Sequence, residues 1–325
     1  MKRFLLTYWF LLALASVLAV GIGFGPQLKW LADYKWLRDG IVASVLFLMA
    51  LPLEAGAMWR TVRRPWGPLL AVAVNFGLLP LFAWSLSGLL SADLSAGLLV
   101  AACTPCTLAS VSVWTRRAGG NDAIAIVVTV VTNLACFIVT PLWLQWMTGS
   151  GAVANAVMRE SLGNMIGQLA VQVVLPMVLA QIVRLYRPLG RWSTQHKFEL
   201  GLTAQCGILC MVLMGAIQTG DRLFGLSAVP TSLFDFLLMV AVVLTVHVAM
   251  FWCGFALARL CGLTRGDQIA VAFAGSQKTL MVGLQVSMAL GASILPMITY
   301  HVGQLLIDTV FADRLAKKSD PSAAP

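Results

Sequence analysis

A long run of apolar and small residues, Gln268 to Gly291, contains a single charged side chain, Lys278, close to its middle. A run of this length spans a lipid bilayer as one α-helix. An ammonium group at that depth costs roughly 2.5–3.5 kcal/mol on insertion scales, so it should face protein or a water-filled cavity. The alternative is a lysine that snorkels to the interface, which is strained this far from either end of the run. We therefore interpret Lys278 as a functional residue or a member of a buried ion pair.

The rest of the chain has the same apolar character. Hydrophobic residues make up 59% of its 325 residues and charged residues only 11%, whereas soluble domains are about 25% charged. Apolar runs between polar breaks predict ten membrane spans, at residues 4–24, 40–58, 67–90, 94–114, 121–148, 163–186, 198–219, 231–260, 268–291 and 293–312. The first run follows Lys2 and Arg3 as a signal peptide would, but it continues to Phe24, so we interpret it as a retained span. The predicted fold is an all-α polytopic membrane protein.

Positive charge is distributed unevenly over the predicted loops. With the N-terminus inside, sixteen lysines and arginines fall in inner segments and five, including Arg38, in outer loops. This bias predicts cytoplasmic termini in a cytoplasmic (inner) membrane protein. It also explains the net charge of +9 better than nucleic-acid binding does. The seven cysteines lie in or beside apolar runs, so they indicate buried small residues rather than a disulfide framework.

Ten spans divide into two halves of five, at 1–150 and 160–316, followed by a short tail at 317–325. Because five is odd, the halves would be inverted relative to each other, as in many secondary transporters. The loop at 149–162 is the predicted joint. In such folds the binding site lies where two broken helices cross near the midplane, and the fourth and ninth spans carry suitable interruptions.

Both interrupted spans are polar at the same depth. The fourth has Pro105, which removes a helical hydrogen bond, next to Thr107 and Ser110. The ninth has the consecutive residues Gly275, Ser276, Gln277, Lys278 and Thr279. Freed carbonyls and half-helix ends can bind ions without formal charge. A proline kink with hydroxyls bonded to their own helix is the alternative for either span alone, but its recurrence in both halves favours a site.

Three stretches together resemble a known family. They are VNFGLLPLFAW with Asn75 and Pro80, CTPCTLASVSVWTRRAGGNDAIAIVVTVVTN, and GSQKTL beginning at Gly275. They are similar to the bile acid:sodium symporter family, above all to its divergent sodium-bile-acid-like branch. The resemblance covers nearly the whole chain. It implies a panel domain of spans one, two, six and seven, a core domain of the other six, and substrate binding in the crevice between them.

The resemblance also implies positions for sodium ligands. Asn75, Ser110 and Thr129 keep an oxygen at the family's ligand positions, and Asn133 lies one turn beyond Thr129. Ser276 stands where the family has its glutamate ligand. Three further ligand positions lack the family's residue, at Val111, Ala125 and Leu280.

The lost carboxylate and the new cation change the expected chemistry. A fixed ammonium repels a nearby sodium ion by several kcal/mol in a poorly screened site, roughly 4 kcal/mol at 4 Å. We therefore predict that the ammonium of Lys278 occupies the space of the missing ion. It would either hold the crossover permanently or titrate and couple transport to protons; sodium coupling is disfavoured.

The predicted function is secondary transport, or facilitation, of a small organic anion or similar solute. The predicted site comprises Asn75, Thr107, Ser110, Thr129, Asn133, Ser276, Gln277, Lys278 and Thr279. Lys278 would be the anion contact or a built-in counter-ion. No prosthetic group and no enzyme activity are expected, since no metal-ligand spacing, nucleophile–base pair or nucleotide loop occurs. The oligomeric state stays open.

Three alternatives remain open at this point. Cys103 and Cys106 form a C-x-x-C in the fourth span, and arsenite carriers of similar architecture use a cysteine there, so a carrier of thiophilic oxyanions is one. A cation–proton carrier of the same architecture is another. A membrane regulator that does not transport is the third, although the short loops leave little surface for a soluble partner.

Two polar side chains of the core are predicted to be structural. Asp308 lies where Arg314 or a loop arginine could pair with it. His247 has no ligand-spaced partner in the sequence, so it is interpreted as a hydrogen-bonded core histidine rather than a proton relay.

Overall fold

The computed structural model describes residues 2–53, 65–108, 110–148, 162–224 and 232–317. All regular elements in these ranges are helices. Those before residue 150 are α1 Lys2–Gly23, α2 Gly25–Ala32, α3 Lys35–Ala50, α4 Trp66–Ser87, α5 Ala92–Cys103, α6 Ser110–Arg117 and α7 Asp122–Thr148. The others are α8 Gly163–Leu185, α9 Arg187–Gln195, α10 Lys197–Phe224, α11 Leu233–Leu260, α12 Arg265–Ser276, α13 Leu280–Leu290 and α14 Leu295–Lys317.

The membrane-spanning capacity of these helices rests on their length and composition. Within the described ranges, six spans qualify: α4, α7, α8, α10, α11, and α12 with α13 as one span. The pair α1 and α2, bent by 105°, would make a seventh. An all-helical, multi-pass membrane protein is therefore confirmed. Ten spans in two inverted repeats stay a prediction, and most of the predicted joint at 149–162 and tail at 317–325 lies outside the described residues.

Helix packing forms two groups of helices, which also touch each other where α8 packs against α7. In the first group α10 packs against α1, α2 and α3, and α8 packs against α3. In the second group α12 packs against α4, α7 and α11, while α14 packs against α5 and α11. We use panel and core below as names for the first and the second group; the predicted division into two domains stays a prediction.

The two predicted breaks occur as unwound segments. The fourth predicted span consists of α5, an extended segment from Thr104, and α6. Thr104 has φ −73° and ψ 158°, because the residue before a proline is driven out of the helical region. The ninth consists of α12, an extended segment from Gln277 to Thr279, and α13. No proline causes this second break.

Wide π turns interrupt two other helices. The π turn in α4 covers Val74–Leu78 and precedes Pro80, and the one in α8 covers Ala170–Val174 and precedes Pro176. π turns often occur at functional sites, because they leave backbone groups without helical partners. The turn in α4 bears directly on Lys278, as described below.

One boundary differs from the prediction in a way that matters. The second span was expected to begin near residue 40, with Arg38 in an outer loop. Instead α3 begins at Lys35, and Arg38 lies in its first turns with only 4% of its surface exposed. The prediction for Arg38 was therefore wrong, because the helix extends through the polar residues that hydropathy assigned to a loop.

Candidate substrate and ion site at the helix crossover

The two unwound segments touch directly. The backbone N–H of Thr279 donates to the carbonyl oxygen of Pro105 over 2.9 Å. At this crossing the C-terminal ends of α5 and α12 and the N-terminal ends of α6 and α13 converge. Helix C-termini carry partial negative charge and N-termini partial positive charge. The crossing therefore offers subsites for both signs of charge without using acidic side chains.

Each unwound segment is held by side chains from the helix of the next predicted span, α7 or α14. Thr132 Oγ1 of α7 accepts from the N–H of Cys106 at 3.1 Å, and Asn133 Nδ2 donates to Cys106 O at 2.8 Å. In the other half, Gln304 of α14 accepts from the N–H of Lys278 and donates to its carbonyl, both at 2.9 Å. Since a membrane interior supplies no water, unwound backbone must find such partners within the protein. The same solution occurs in both halves.

Lys278 points into a cage of oxygen atoms. Its Nζ donates to Thr104 O at 2.7 Å, to Asn75 O at 2.8 Å and to Asn75 Oδ1 at 3.0 Å. The ring centroid of Phe76 lies 5.6 Å from Nζ, within range of a cation–π interaction. The side chain is fully buried. An ammonium has three donors, so all of them are used.

The carbonyl of Asn75 is free because of the π turn and Pro80. In a regular α-helix Asn75 O would accept from the N–H of Leu79, but that N–H instead donates to Val74 O. The next residue along, Pro80, has no N–H to offer. Asn75 O therefore has no backbone N–H in the following turn to accept from, and it accepts from Lys278 Nζ instead.

Asn75 also binds the end of α12. Its Nδ2 donates to the carbonyls of Ala274 and Gln277, both at 3.0 Å. The last carbonyls of a helix lack intrahelical donors, and Asn75 supplies them. One side chain of the core thus joins α4, the end of α12 and the ammonium of Lys278. Gly275 permits this close packing, since a Cβ there would lie 2.8 Å from Val74 Cγ1.

The remaining predicted residues form a second polar cluster at the crossing. Ser110 Oγ donates to Gln277 Oε1 at 3.1 Å and lies 3.2 Å from Thr107 Oγ1. Thr129 Oγ1 donates to Thr107 O at 3.0 Å. Asn133 Oδ1 is buried and has no hydrogen-bond partner among the described residues. The structure thus brings together Thr107, Ser110, Thr129, Asn133 and Gln277.

Two predicted residues contribute differently from expectation. Ser276 Oγ donates back to Ala272 O of its own helix at 2.8 Å, so its hydroxyl is already used there. Thr279 takes part through its backbone N–H, as described above. Both lie at the crossing, yet neither side-chain hydroxyl is aimed at Lys278.

Several residues of the network were missed or misassigned. Asp308 was predicted to pair with Arg314 or a loop arginine, but its Oδ1 lies 2.9 Å from His247 Nε2, and its Oδ2 accepts from Gln277 Nε2. His247 is a hydrogen-bonded core histidine, as expected. Asp308 lies on the buried face of α14, whereas Arg314 is exposed, which explains the wrong pairing.

Tyr300 and Gln304 of α14 were not singled out from the sequence. Tyr300 donates to Ser276 O at 2.7 Å, and Gln304 binds both backbone groups of Lys278. The available signal was a row of polar residues with helical spacing, Tyr300, Gln304 and Asp308, within an otherwise apolar span.

A second polar region lies between panel and core. Gln285 Nε2 of α13 donates to Gln172 Oε1 of α8 at 2.6 Å and to Asp39 Oδ1 of α3 at 3.1 Å. A narrow crevice runs beside these contacts, lined by Met165, Gln168, Leu169, Gln172, Gln285, Val286, Ala289 and Leu290. Gln285 Oε1 is buried with no partner in the described part of the chain.

Arg38 lies beside Asp39 in this region. Its buried Nε has no hydrogen-bond partner among the described residues, and Asp39 Oδ1 is 3.7 Å away, beyond hydrogen-bond distance. A guanidinium group carries five N–H donors, and leaving such a group buried without acceptors is costly. Arg38 thus forms an ion pair with Asp39 at 3.7 Å, while its Nε keeps a donor without a hydrogen-bond partner among the described residues.

Together the fold and the crossing define a class of protein. A multi-pass helical membrane protein with two broken helices crossing in its core is typical of secondary transporters, whose substrates and coupling ions bind at such breaks. Residues 2–317 match the model of the SBF-like CPA transporter family. The chain belongs to this family, and its resemblance to the bile acid:sodium symporters is confirmed.

Individual relatives agree with this assignment. The chain is 27% identical to the probable sodium/metabolite cotransporter BASS4 of Arabidopsis thaliana, over 93% of this chain and 71% of the relative. It is 27% identical to the uncharacterized sodium-dependent transporter YocS of Bacillus subtilis, over 85% of this chain and 77% of the relative. It is 25% identical to sodium/bile acid cotransporter 7 of Xenopus tropicalis, over 66% and 62%. The protein is thus a membrane transporter of a small solute rather than an enzyme.

Proposed function

We propose that this protein is a ten-span secondary transporter or facilitator that moves a small organic anion across the cytoplasmic (inner) membrane, with both termini inside. The two halves would be inverted repeats, 1–150 and 160–316. Support comes from matching side-chain hydrogen bonds, here called straps, that hold the two unwound segments. Side chains of α7 bind the backbone of Cys106, and a side chain of α14 binds that of Lys278. Sequence-based charge bias supports the orientation.

The proposal's main observation is the oxygen cage around Lys278. Three oxygens at 2.7–3.0 Å from Nζ make the surroundings that a hard cation prefers. The ammonium group of the Lys278 side chain fills that space. It would repel a sodium ion beside it by several kcal/mol, roughly 4 kcal/mol at 4 Å. Lys278 therefore acts as a built-in counter-ion. Sodium coupling, which the names of the relatives BASS4 and YocS suggest, is not expected at this position.

Anion specificity is assigned to Arg38 rather than to Lys278. Lys278 has no donor left for a substrate, because all three bind protein oxygens. Arg38 has a buried Nε without a hydrogen-bond partner among the described residues, and it adjoins Asp39, which accepts from Gln285 of the crevice between panel and core. A carboxylate binds a guanidinium through two parallel hydrogen bonds. We therefore place the charged end of the substrate near Arg38 and its remainder in the crevice toward Gln285.

Alternating access would separate the surfaces that meet at Gln285. Its hydrogen bonds to Gln172 and Asp39 connect α13 of the core with α8 and α3 of the panel. A rigid-body movement between panel and core must break them, and a substrate in the crevice can replace them. The buried, unpartnered Gln285 Oε1 offers one acceptor for that exchange.

The test is solute uptake into proteoliposomes. A panel of mono- and dicarboxylates and taurocholate is screened first by thermal stabilisation of the purified protein. Uptake of the best compound is then measured with a sodium gradient, with a pH gradient and with neither. We expect a sodium gradient to leave uptake unchanged in wild type. If Lys278 titrates, the pH gradient stimulates wild type but not Lys278→Gln; if it stays charged, neither protein responds.

Lys35→Gln serves as the matched control, because Lys35 is an exposed lysine at the start of α3. It should behave like wild type in every gradient. Uptake that a sodium gradient raises several-fold in wild type would contradict the built-in counter-ion. A pH response that survives in Lys278→Gln would exclude Lys278 as the proton-coupling residue.

One observation keeps a second candidate function. Cys106 lies in the unwound segment of the crossing, and its Sγ is 3.9 Å from Thr129 Oγ1. A thiol at an unwound helix break is positioned to bind arsenite or another thiophilic oxyanion. In that case Cys106→Ser should abolish oxyanion transport while Cys136→Ser, a change in an equally buried cysteine of α7, should not.

A further inference from the structure

A basic cavity lies at the end of the panel, far along the chain from the crossing. The short helix α9 connects α8 to α10, and an open cavity of about 490 Å³ lies beside it. The cavity is lined by Arg184, Arg187, Gly190, Arg191, Thr194 and Gln195. None of these residues is acidic and three are arginines. Such a cavity attracts an anion.

The first arginine is fixed in place by the protein. Arg184 Nη1 donates to Leu51 O at 2.9 Å and to Ser193 Oγ at 3.0 Å, and Nη2 donates to Thr194 Oγ1 at 3.1 Å. Gly190 packs against it so closely that a Cβ would lie 2.8 Å from Arg184 O. The wall of the cavity is thus built from hydrogen-bonded residues rather than from loose surface side chains.

The other two arginines are available to a ligand. Arg187 and Arg191 are exposed, and neither forms an ion pair within the part of the chain that the structure describes. They are four residues apart on α9, so their side chains lie on one face of the helix. Guanidinium groups bind phosphate oxygens through paired hydrogen bonds, and the Gln195 amide adds a neutral donor.

The surroundings favour a lipid over a soluble anion. Three large side chains next in sequence to the lining arginines are exposed: Leu185 at 80%, Tyr186 at 64% and Trp192 at 44%. Tyrosine and tryptophan are enriched where a membrane protein meets the headgroup region. The helix α9 carries Arg187, Arg191 and one aromatic residue, Trp192, and Tyr186 directly precedes it. Amphipathic helices with basic and aromatic residues lie in that interface. A soluble phosphate would gain nothing from the apolar side chains, whereas acyl chains would cover them.

We propose that the Arg184–Arg187–Arg191 cavity binds the phosphate headgroup of an anionic phospholipid of the surrounding bilayer, with its acyl chains against Leu185, Tyr186 and Trp192. The site does not depend on what the protein transports. It would fix the end of the panel at the membrane surface while the core moves.

The test compares lipid binding by two charge-matched double variants. Arg187→Gln/Arg191→Gln removes the two available arginines, and Arg259→Gln/Arg314→Gln removes two exposed arginines of the core. Binding of phosphatidylglycerol to the purified full-length protein is followed by native mass spectrometry and by thermal shift in mixed micelles, with phosphatidylcholine and inorganic phosphate as separate probes. We expect the first variant to bind phosphatidylglycerol roughly thirtyfold more weakly, and the second like wild type.

Three results would overturn the proposal. The two double variants could bind phosphatidylglycerol equally well, phosphatidylcholine could stabilise wild type as much as phosphatidylglycerol, or inorganic phosphate could stabilise it to the same extent. Should the glutamine variant not fold, Arg187→Lys/Arg191→Lys keeps the charge but loses the paired hydrogen bonds. That variant should then bind several-fold more weakly than wild type, and unchanged binding would count against the site.

Discussion

Lys278 in the core and Arg38 in the panel are both buried cations, yet their surroundings are opposite. Every donor of the Lys278 ammonium binds an oxygen at 3.0 Å or less. Arg38 Nε is buried without a hydrogen-bond partner among the described residues. Lys278 lies in the span formed by α12 and α13, whose most apolar stretch is completely enclosed by protein. In the panel helix α8, only 28% of the most apolar stretch is buried.

We propose on this basis that Lys278 is a structural cation and Arg38 a ligand-binding cation. A charge whose hydrogen bonds are all made inside the protein stabilises the fold and has nothing left for a ligand. A charge whose donors are unmet is costly in the free protein and gains when a ligand arrives. Lys278 would act as a permanently bound cation, and Arg38 would bind a carboxylate of the substrate. The variants below test this difference between Lys278 and Arg38.

The largest effect is expected for Lys278→Ala. Three buried oxygens lose their donor at once, and each buried polar group left unpaired costs roughly 1–3 kcal/mol. We expect the free energy of unfolding to fall by at least about 3 kcal/mol, which is roughly 6 °C or more in Tm for a chain of this size. Thermal unfolding in detergent measures this, with Lys35→Ala as the exposed control. A fall as small as that of the control would mean that the cage does not stabilise the crossing.

A smaller loss is expected when the strap on Lys278 is removed. Gln304→Leu leaves the N–H and the carbonyl of Lys278 without partners and should cost about 2 kcal/mol. The comparison is Asn133→Leu in the other half, which frees Cys106 O but also removes the buried, unpartnered Asn133 Oδ1. We therefore expect Gln304→Leu to lower Tm more than Asn133→Leu. The reverse order would mean that the hydrogen bonds of Gln304 to Lys278 stabilise the protein less than that of Asn133 to Cys106.

The smallest effect on stability is expected for Arg38→Gln. No hydrogen bond to Nε is lost, so Tm should stay unchanged or rise. The affinity for a carboxylate should fall by roughly ten- to a hundredfold, since a hydrogen bond to a charged group contributes about 1.5–3 kcal/mol. Isothermal titration with the carboxylate found in the screen measures this, and Arg259→Gln, at an exposed core arginine, is the control. Unchanged affinity in Arg38→Gln would place the anion elsewhere.

The sequence predicted the positions of both breaks for different reasons. Pro105 removes a backbone donor and forces Thr104 into an extended conformation, so the first break follows from local chemistry. The second break has no proline, and only the polar residues around Lys278 indicated it. Length and hydropathy predicted an all-helical membrane protein, because a bilayer requires continuous apolar helices.

Partners that come from distant parts of the chain could not be predicted. The acceptor Asn75 O becomes free only through a π turn together with Pro80, and its approach to Lys278 depends on how α4 packs on α12. Predicted depth suggested Arg314 or a loop arginine as the partner of Asp308, although His247, 61 positions away, is the actual partner. Arg38 was assigned to a loop because hydropathy cannot see that a charged residue is buried by neighbouring helices.

The most direct test of the built-in counter-ion is thermal unfolding of wild type and Lys278→Ala in sodium chloride and in potassium chloride. In wild type the ammonium fills the cage, so we expect equal Tm values in the two salts. In Lys278→Ala the same three oxygens are open, so sodium should raise Tm; a ligand at a hundred times its Kd adds about 2.7 kcal/mol. A rise in Tm with sodium in wild type would contradict the built-in counter-ion, because a free sodium ion would then bind to this protein despite Lys278.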